Sequence, residues 1–235
     1  EVAPFTVDLL LPSGAENLNY VLYTDESPYK MQREWLDRLP FDIYSVNVHT
    51  GAKRLIGRSY RTAPKWSVNG KWAVMYDPIA QVWNKFDGAT GKVVNISDAI
   101  GYPMFMESYD KPAPAPAYGI AGWTADGNNV FLYDAYDWWK IDLTGERQPE
   151  CLTKGYGRKH GKSIRKMTSN IDKDVFQKDE KVIVSLWDKD TMDEGVYQLD
   201  MKGRLRKLME GNYVYTIHRF SDNHEYCVWN RQNVS

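Results

Sequence analysis

The chain alternates short apolar runs with polar turn clusters. The runs include Trp72-Ala73-Val74-Met75-Tyr76, Val130-Phe131-Leu132-Tyr133, Val182-Ile183-Val184-Ser185-Leu186-Trp187 and Tyr226-Cys227-Val228-Trp229. They are rich in β-branched and aromatic residues and too short for amphipathic helices, which predicts strands buried on both faces. An Asp or Asn follows each run (Asp77, Asp134, Asp188, Asn230), as expected of residues that turn the chain through side-chain hydrogen bonds.

A repeat precedes these strands. Trp66-Ser67-Val68-Asn69-Gly70 returns as Trp123-Thr124-Ala125-Asp126-Gly127. Weaker copies are Phe176-Gln177-Lys178-Asp179-Glu180 and Phe220-Ser221-Asp222-Asn223. Asn-Gly and Asp-Gly predict type I′ hairpins, with positive φ at both central residues. A third strand follows in each unit, at Ile43-Tyr44, Val82-Trp83, Trp138-Trp139 and Val196-Tyr197, then a turn closed by Gly51, Gly91, Gly145 or Gly203. A fourth ends the unit, at Lys53–Ile56, Val93–Ile96, Glu150–Thr153 and Leu205–Met209.

Four antiparallel strands per unit, with units about 45–55 residues apart, predict an all-β protein made of β-propeller blades. The expected blades run over 5–56, 63–97, 118–153 and 170–209, with a half blade over 213–230. The first blade carries an insertion, Thr24 to Pro40, in which Tyr29 to Arg38 is expected to form a short helix bounded by Pro28 and Pro40. Between blades, Ala99 to Tyr118 holds Pro103, Pro112, Pro114 and Pro116 and reads as a stiff loop, with a peptide-docking segment as the alternative. The last unit stops at Ser235, where a third strand would begin, so the sequence is expected to be a piece of a longer protein.

Composition sharpens this picture only in places. The 9 Trp, 16 Tyr and 7 Phe favour large packed sheet faces. A net charge of −1 gives no electrostatic footprint for nucleic acid, and no apolar run approaches the length of a membrane span. Glu1 to Asp8 lacks the regions of a signal peptide, but such a segment can be removed in maturation, and a periplasmic or secreted location is favoured over the cytoplasm. Cys151 and Cys227 are too few for a disulfide framework and are expected to be buried free thiols, with a single bridge as the alternative.

The candidates for chemistry each meet a simpler reading. Gly161-Lys162-Ser163-Ile164-Arg165 lacks the second glycine of a nucleophile elbow, so Ser163 is expected in a solvated loop. Lys154 to Ser163 ends like a phosphate loop, but Tyr156 stands where the first glycine belongs. That stretch reads as a basic surface loop whose Lys154, Arg158, Lys159, Lys162, Arg165 and Lys166 are available to an acidic neighbouring domain. His49, His160, His218 and His224 show no metal-ligand spacing, though His218 and His224 lie on one predicted hairpin. Asp188 to Gly195 departs from a calcium loop and reads as a hairpin turn. Asp134 and Asp137 could pair as glycosidase carboxylates, yet Asp77 and Asp188 occupy the matching place in other blades, which points to turn residues. Asn95-Ile96-Ser97 and Asn233-Val234-Ser235 fit the glycosylation triplet. No catalytic, metal-binding or cofactor-binding residue is assigned, and no cofactor is expected.

The repeat phrases, with Trp138-Trp139-Lys140-Ile141-Asp142-Leu143-Thr144-Gly145 and Pro149-Glu150-Cys151-Leu152-Thr153 as the nearest passage, resemble the propeller blades of the prolyl oligopeptidase family of serine peptidases. The same idiom marks TolB-type propellers. The resemblance implies a noncatalytic propeller that gates peptide access to an α/β-hydrolase domain of the same parent chain, the parent's peptide substrate being the second partner. The alternative it implies is a stand-alone propeller that binds proteins. Dipeptidyl peptidases of the family carry a Glu-Glu pair in the propeller. Arg33-Glu34 is only a weak substitute, and the role is not transferred.

Overall fold

The computed structural model describes residues 9–12, 19–36, 38–167, 174–221 and 226–233. Contacts divide the chain into two units, residues 1–117 with 126–128 and 143–145, and the remainder.

The first unit holds two sheets of four antiparallel strands each. Strands β1 (Leu9–Pro12), β2 (Tyr20–Asp25), β3 (Phe41–Asn47) and β4 (Lys53–Tyr60) are joined in chain order, and so are β5 (Lys65–Trp66), β6 (Trp72–Asp77), β7 (Val82–Asp87) and β8 (Val93–Asn95). Their facing side chains form one core of Leu22, Phe41, Ile43, Tyr60, Ala73, Met75 and Phe86. Phe86 is fully buried, and the rings of Tyr20 and Trp66 meet it edge-on at 5.6 and 6.1 Å. The Trp66 indole N–H donates to the Leu11 carbonyl at 2.9 Å, so the repeat's aromatic fills the core and satisfies its polar atom together.

The second unit begins with β9 (Ile120–Thr124), β10 (Asn129–Tyr133), β11 (Trp138–Asp142) and β12 (Glu150–Cys151), antiparallel in turn. A short helix α1 (Tyr156–Lys159) leads to β13 (Lys162–Lys166). Next come β14 (Val175–Phe176), β15 (Lys181–Asp188), β16 (Glu194–Asp200), β17 (Leu205–Gly211), β18 (Tyr213–Phe220) and β19 (Cys227–Asn233). The second of its sheets runs β13-β15-β16-β17, and β18 pairs with β19 alone. Antiparallel sheets of mainly four strands in sequence order are the build of β-propeller blades, and the fold is of that class.

Two strands depart from the sequence reading. Phe176, expected to open the fourth unit, lies in β14, which pairs in parallel with β9 at the edge of the preceding sheet. Its ring packs 5.8 Å from Phe131 and 6.2 Å from Trp138. The strand beside β15 is instead β13, drawn from the stretch expected to be a basic loop. Only Ile164 in β13 is a large apolar side chain, so the run carries no strand signature, yet Ile164 is fully buried in the second unit's core.

The turns follow the repeat, with one correction. Gly70 (φ +66) and Gly127 (φ +69) are left-handed, but Asn69 and Asp126 are not. The hairpins are therefore not type I′. The Ser67 carbonyl accepts the Gly70 N–H at 2.9 Å, and the Ser67 hydroxyl accepts the Trp72 N–H at 3.2 Å. Thr124 does the same for Asn129 at 3.0 Å. The Ser or Thr of the phrase thus closes the hairpin, and glycine supplies the single left-handed residue.

In the first-blade insertion, Ser27–Gln32 forms a 3-10 helix that starts earlier than expected and admits Pro28 in its first turn. Asn230, expected in a turn, lies within β19 opposite Thr216. The Pro-rich stretch is an ordered loop, with Phe105 bridged to Ala117 and Met104 and Ile100 buried. Phe5, Asp222, Asn223 and the last two residues of the Asn233 triplet fall outside the described residues.

Gly203 offers a sharp test of the second unit. Its φ is +81, and a Cβ there would collide with the Leu152 carbonyl. Gly203→Ala is expected to lower unfolding stability by about 3 kcal/mol or more. Gly101→Ala, at a glycine with open space around it, should change it by less than about 1 kcal/mol. Urea melts of the two variants compare them directly.

Candidate functional site

The densest polar cluster of the described residues joins the β10–β11 turn to the segment leading into β13. Asp134 and Asp137 are 0% and 1% exposed, a burial that carboxylates tolerate only when their lone pairs are occupied. Asp134 Oδ1 accepts the N–H groups of Tyr136 (2.7 Å) and Asp137 (2.6 Å). Its Oδ2 accepts the Trp139 indole N–H at 3.1 Å and the Arg158 guanidinium at 3.0 Å. Asp137 Oδ1 accepts the Thr153 hydroxyl at 2.6 Å and the Gly157 N–H at 2.9 Å, while Oδ2 accepts the Arg158 N–H at 3.0 Å.

Both carboxylates are therefore held by donors of the protein itself. A glycosidase acid needs one carboxyl free to meet a leaving group and another free to meet water or the sugar. Here Asp134 shapes its own turn, and Asp137 ties α1 to that turn.

Arg165 extends the cluster. Its guanidinium donates to the carbonyls of Ile164 (2.8 Å), Asp134 (2.6 Å) and Ala135 (3.1 Å). It lies over the Tyr133 and Tyr118 rings at 4.7 and 5.3 Å. Burial pulls its pKa down, and the electron-rich faces and carbonyls compensate the charge. Burial likewise pushes the Tyr133 hydroxyl up to about 12. The Tyr136 ring, at the tip of the turn, has the Lys189 ammonium 4.7 Å and the Arg158 guanidinium 5.0 Å from its centre.

The six basic residues of this stretch are mostly engaged internally. Besides Arg158 and Arg165, Lys162 pairs with Glu210 at 2.8 Å and Lys166 with Asp174 at 2.7 Å. Lys154 and Lys159 are exposed. Ser163 is not in a solvated loop. It is buried in β13, and its hydroxyl donates to the Ala135 carbonyl at 3.1 Å.

Glu210, which carried no signal in the sequence, is a charge hub. It accepts from Lys162, from Lys207 at 2.9 Å and from the Tyr197 hydroxyl at 3.2 Å. The lysine hydrogen bonds, Lys162 first, hold its carboxyl down to about 2.

The other candidates stand apart. Asp188 Oδ1 accepts the N–H groups of Asp190 (2.9 Å) and Thr191 (3.2 Å), so this acidic hairpin is tied by its first residue. The same pattern recurs at Asp77 and at Asn95 of the glycosylation triplet. His160 stacks on Tyr156 at 4.2 Å, and His49 and His218 are exposed. His224 lies outside the described residues. Among the described residues no three His, Cys, Asp or Glu side chains gather as a metal site. Cys151 and Cys227 are free and half-buried rather than fully buried, and burial raises both thiols. Arg33 reaches Glu26 at 4.0 Å, with Glu34 exposed beside it.

No family model matches the chain, and no curated protein does. Solved structures do. A putative dipeptidyl aminopeptidase IV from Bacteroides ovatus superposes with a TM-score of 0.52 at 11% identity, over 97% of this chain and 39% of that one. TolB from Acinetobacter baumannii gives 0.44 at 15% identity, over 88% and 44%. The β-propeller domain of the Trilobed protease from Pyrococcus furiosus gives 0.32 at 10%, over 97% and 78%. The chain thus spans less than half the length of the first two. At 11% identity the likeness to the Bacteroides ovatus structure is one of fold alone, and it agrees with the blade topology.

Two outcomes follow from the cluster. Asp137→Ala strands three donors in a buried site, so it should lower stability by about 3–5 kcal/mol, whereas Asp77→Ala, in a half-buried turn, should cost about 1 kcal/mol. Chemical denaturation checks both. Glu210 has a folded pKa below its ordinary 4.5, so its contribution is present above pH 4.5 and is lost as pH falls toward about 2. Glu210→Gln should therefore flatten the acid limb of the stability–pH curve in that window, read by thermal melts across pH.

Proposed function

We propose that this chain is the noncatalytic propeller portion of a prolyl oligopeptidase-like serine peptidase, and that it gates peptide access to an α/β-hydrolase domain outside this sequence. The observation that carries the reading is the fold likeness to the Bacteroides ovatus structure, over 97% of this chain and only 39% of the other. The polar groups described above support a passive role. Asp134, Asp137 and Ser163, the side chains nearest to a hydrolytic set, are bound to their own backbone and neighbours. Gating would be steric, with packed blades as a rigid frame and the strand-connecting loops meeting the peptide or the hydrolase domain. Exposed Lys154 and Lys159 offer an acidic domain surface two cations.

The test uses the natural reading frame in full beside this 235-residue chain, both treated with a fluorophosphonate that labels activated serines. Labelling of the long form alone is the expected result. Absence of labelling in both, or labelling of the short chain, would overturn the reading. The first of these outcomes would favour a stand-alone propeller that binds a folded protein.

A further inference from the structure

Among the chain's asparagines only Asn69 is followed by glycine. Such a bond is open to self-modification, because the Gly70 backbone nitrogen can attack the Asn69 Cγ with no Cβ of its own in the way.

In the first unit this bond lies in the β5–β6 turn, and the turn holds each reacting group. The Gly70 N–H donates to the Ser67 carbonyl at 2.9 Å, so the attacking nitrogen keeps its proton. The Asn69 carboxamide, the group to be attacked, is tied at both ends. Its Oδ1 accepts the Ser67 hydroxyl at 2.8 Å and the Lys71 N–H at 3.1 Å. Its Nδ2 donates to the Asp126 carbonyl at 2.8 Å and to Asn128 Oδ1 at 3.3 Å. Residues 126–128, the tip of the β9–β10 turn, belong to the same unit. The two tips are in close contact, since a Cβ on Gly127 would lie 2.6 Å from Asn69 Cγ.

A carboxylate at position 69 fits this place badly. One of its oxygens would stand where Nδ2 now donates to the Asp126 carbonyl, setting acceptor against acceptor. Asn128 can turn its amide to donate, but a backbone carbonyl cannot. The Asp126 carboxylate, which accepts the Asn128 N–H at 2.9 Å at the same tip, adds repulsion between like charges.

We propose that Asn69 is a site of spontaneous deamidation that the closed turn holds off, and that the product cannot rebuild the tie to the Asp126–Asn128 tip. The Gly70 nitrogen gives its proton to water and bonds to Asn69 Cγ. The Cγ–Nδ2 bond breaks, and ammonia leaves with a proton from water. A further water opens the resulting succinimide to aspartate or to isoaspartate, with no change of oxidation state. The reaction needs the turn open, so each event is a permanent record of a local opening. The site is independent of the gating role and stands or falls separately from it.

The test ages the whole chain near neutral pH, either folded or unfolded in urea. Trypsin, cutting after Lys65 and Lys71, then isolates Trp66–Lys71 for mass spectrometry. The folded chain is expected to convert Asn69 at least about tenfold more slowly than the unfolded one, and urea below the unfolding midpoint should speed it. Equal rates in the folded and unfolded chains would overturn the proposal. Asn69→Asp supplies one product directly. Its unfolding equilibrium constant should rise about tenfold in urea melts, against less than about twofold for Asn212→Asp, which adds the same charge at an exposed asparagine. Equal stability of these two variants would overturn the proposal as well. The rates on the unaltered chain decide the first point whether or not Asn69→Asp folds.

Discussion

Short hairpins can stack strands into sheets only if each return of the chain satisfies the backbone groups that leave the ladder. In this protein a carboxylate or amide at the strand end does that work again and again. Asn47, Asp77, Asp87, Asp134 and Asp188 each accept two N–H groups from the residues two and three positions on. The side chain stands in for a ladder partner and lets the next strand start within a few residues. Strand length, register and the inward placing of Phe86 or Trp138 all follow from where these turns fall.

The cluster around Asp134 and Asp137 grows from that same device. Asp134 begins as an ordinary turn residue, but its second oxygen also takes Trp139 and Arg158. Asp137, one strand start later, holds Thr153, Gly157 and Arg158. What is a surface turn in other blades has become a buried joint between a turn and the segment feeding the next strand. The low exposure that could suggest a catalytic pair is the consequence of that joint. A buried carboxylate held by three or four donors of its own chain is rigid and chemically quiet, whereas catalysis needs an acid whose partner is the substrate.

The parts of the fold legible in the sequence are those set by local chemistry. Trp66 and Trp123 with their Ser or Thr marked hairpins, and the recurrent Asp marked turns, because each acts on neighbours within a few residues. The exact turn was misread, since Asn-Gly and Asp-Gly favour type I′ but the hydroxyl of Ser67 or Thr124 closes a loop that needs only one left-handed residue. Strand β13 was hidden because its apolar content is a single Ile164, and the Phe176 of β14 was given to the wrong sheet because its parallel partner, β9, lies about fifty residues back along the chain. The role of Asp134 and Asp137 as turn residues was readable from their repeated position. The partners that saturate them, Thr153 and Arg158, come from beyond β11 and leave no local mark.

The same distinction separates the two groups of cations. In the segment from Lys154 to Lys166, a run of basic residues reads as one patch, yet the fold distributes four of them to Asp134, to Glu210, to Asp174 and to a cage of carbonyls and tyrosine rings. Lys53 and Arg54 form no run, and nothing in their neighbours draws the eye. Lys53 lies over the Tyr44 and Tyr23 rings, and Arg54, on the other face of the same strand, donates to the Gly91 carbonyl. Charge density along a sequence therefore says little about charge available to a ligand. What counts is the difference between the cations that sheet geometry brings to a carboxylate and those that it brings only to a ring face or a carbonyl, because only the second kind can gain from an incoming anion.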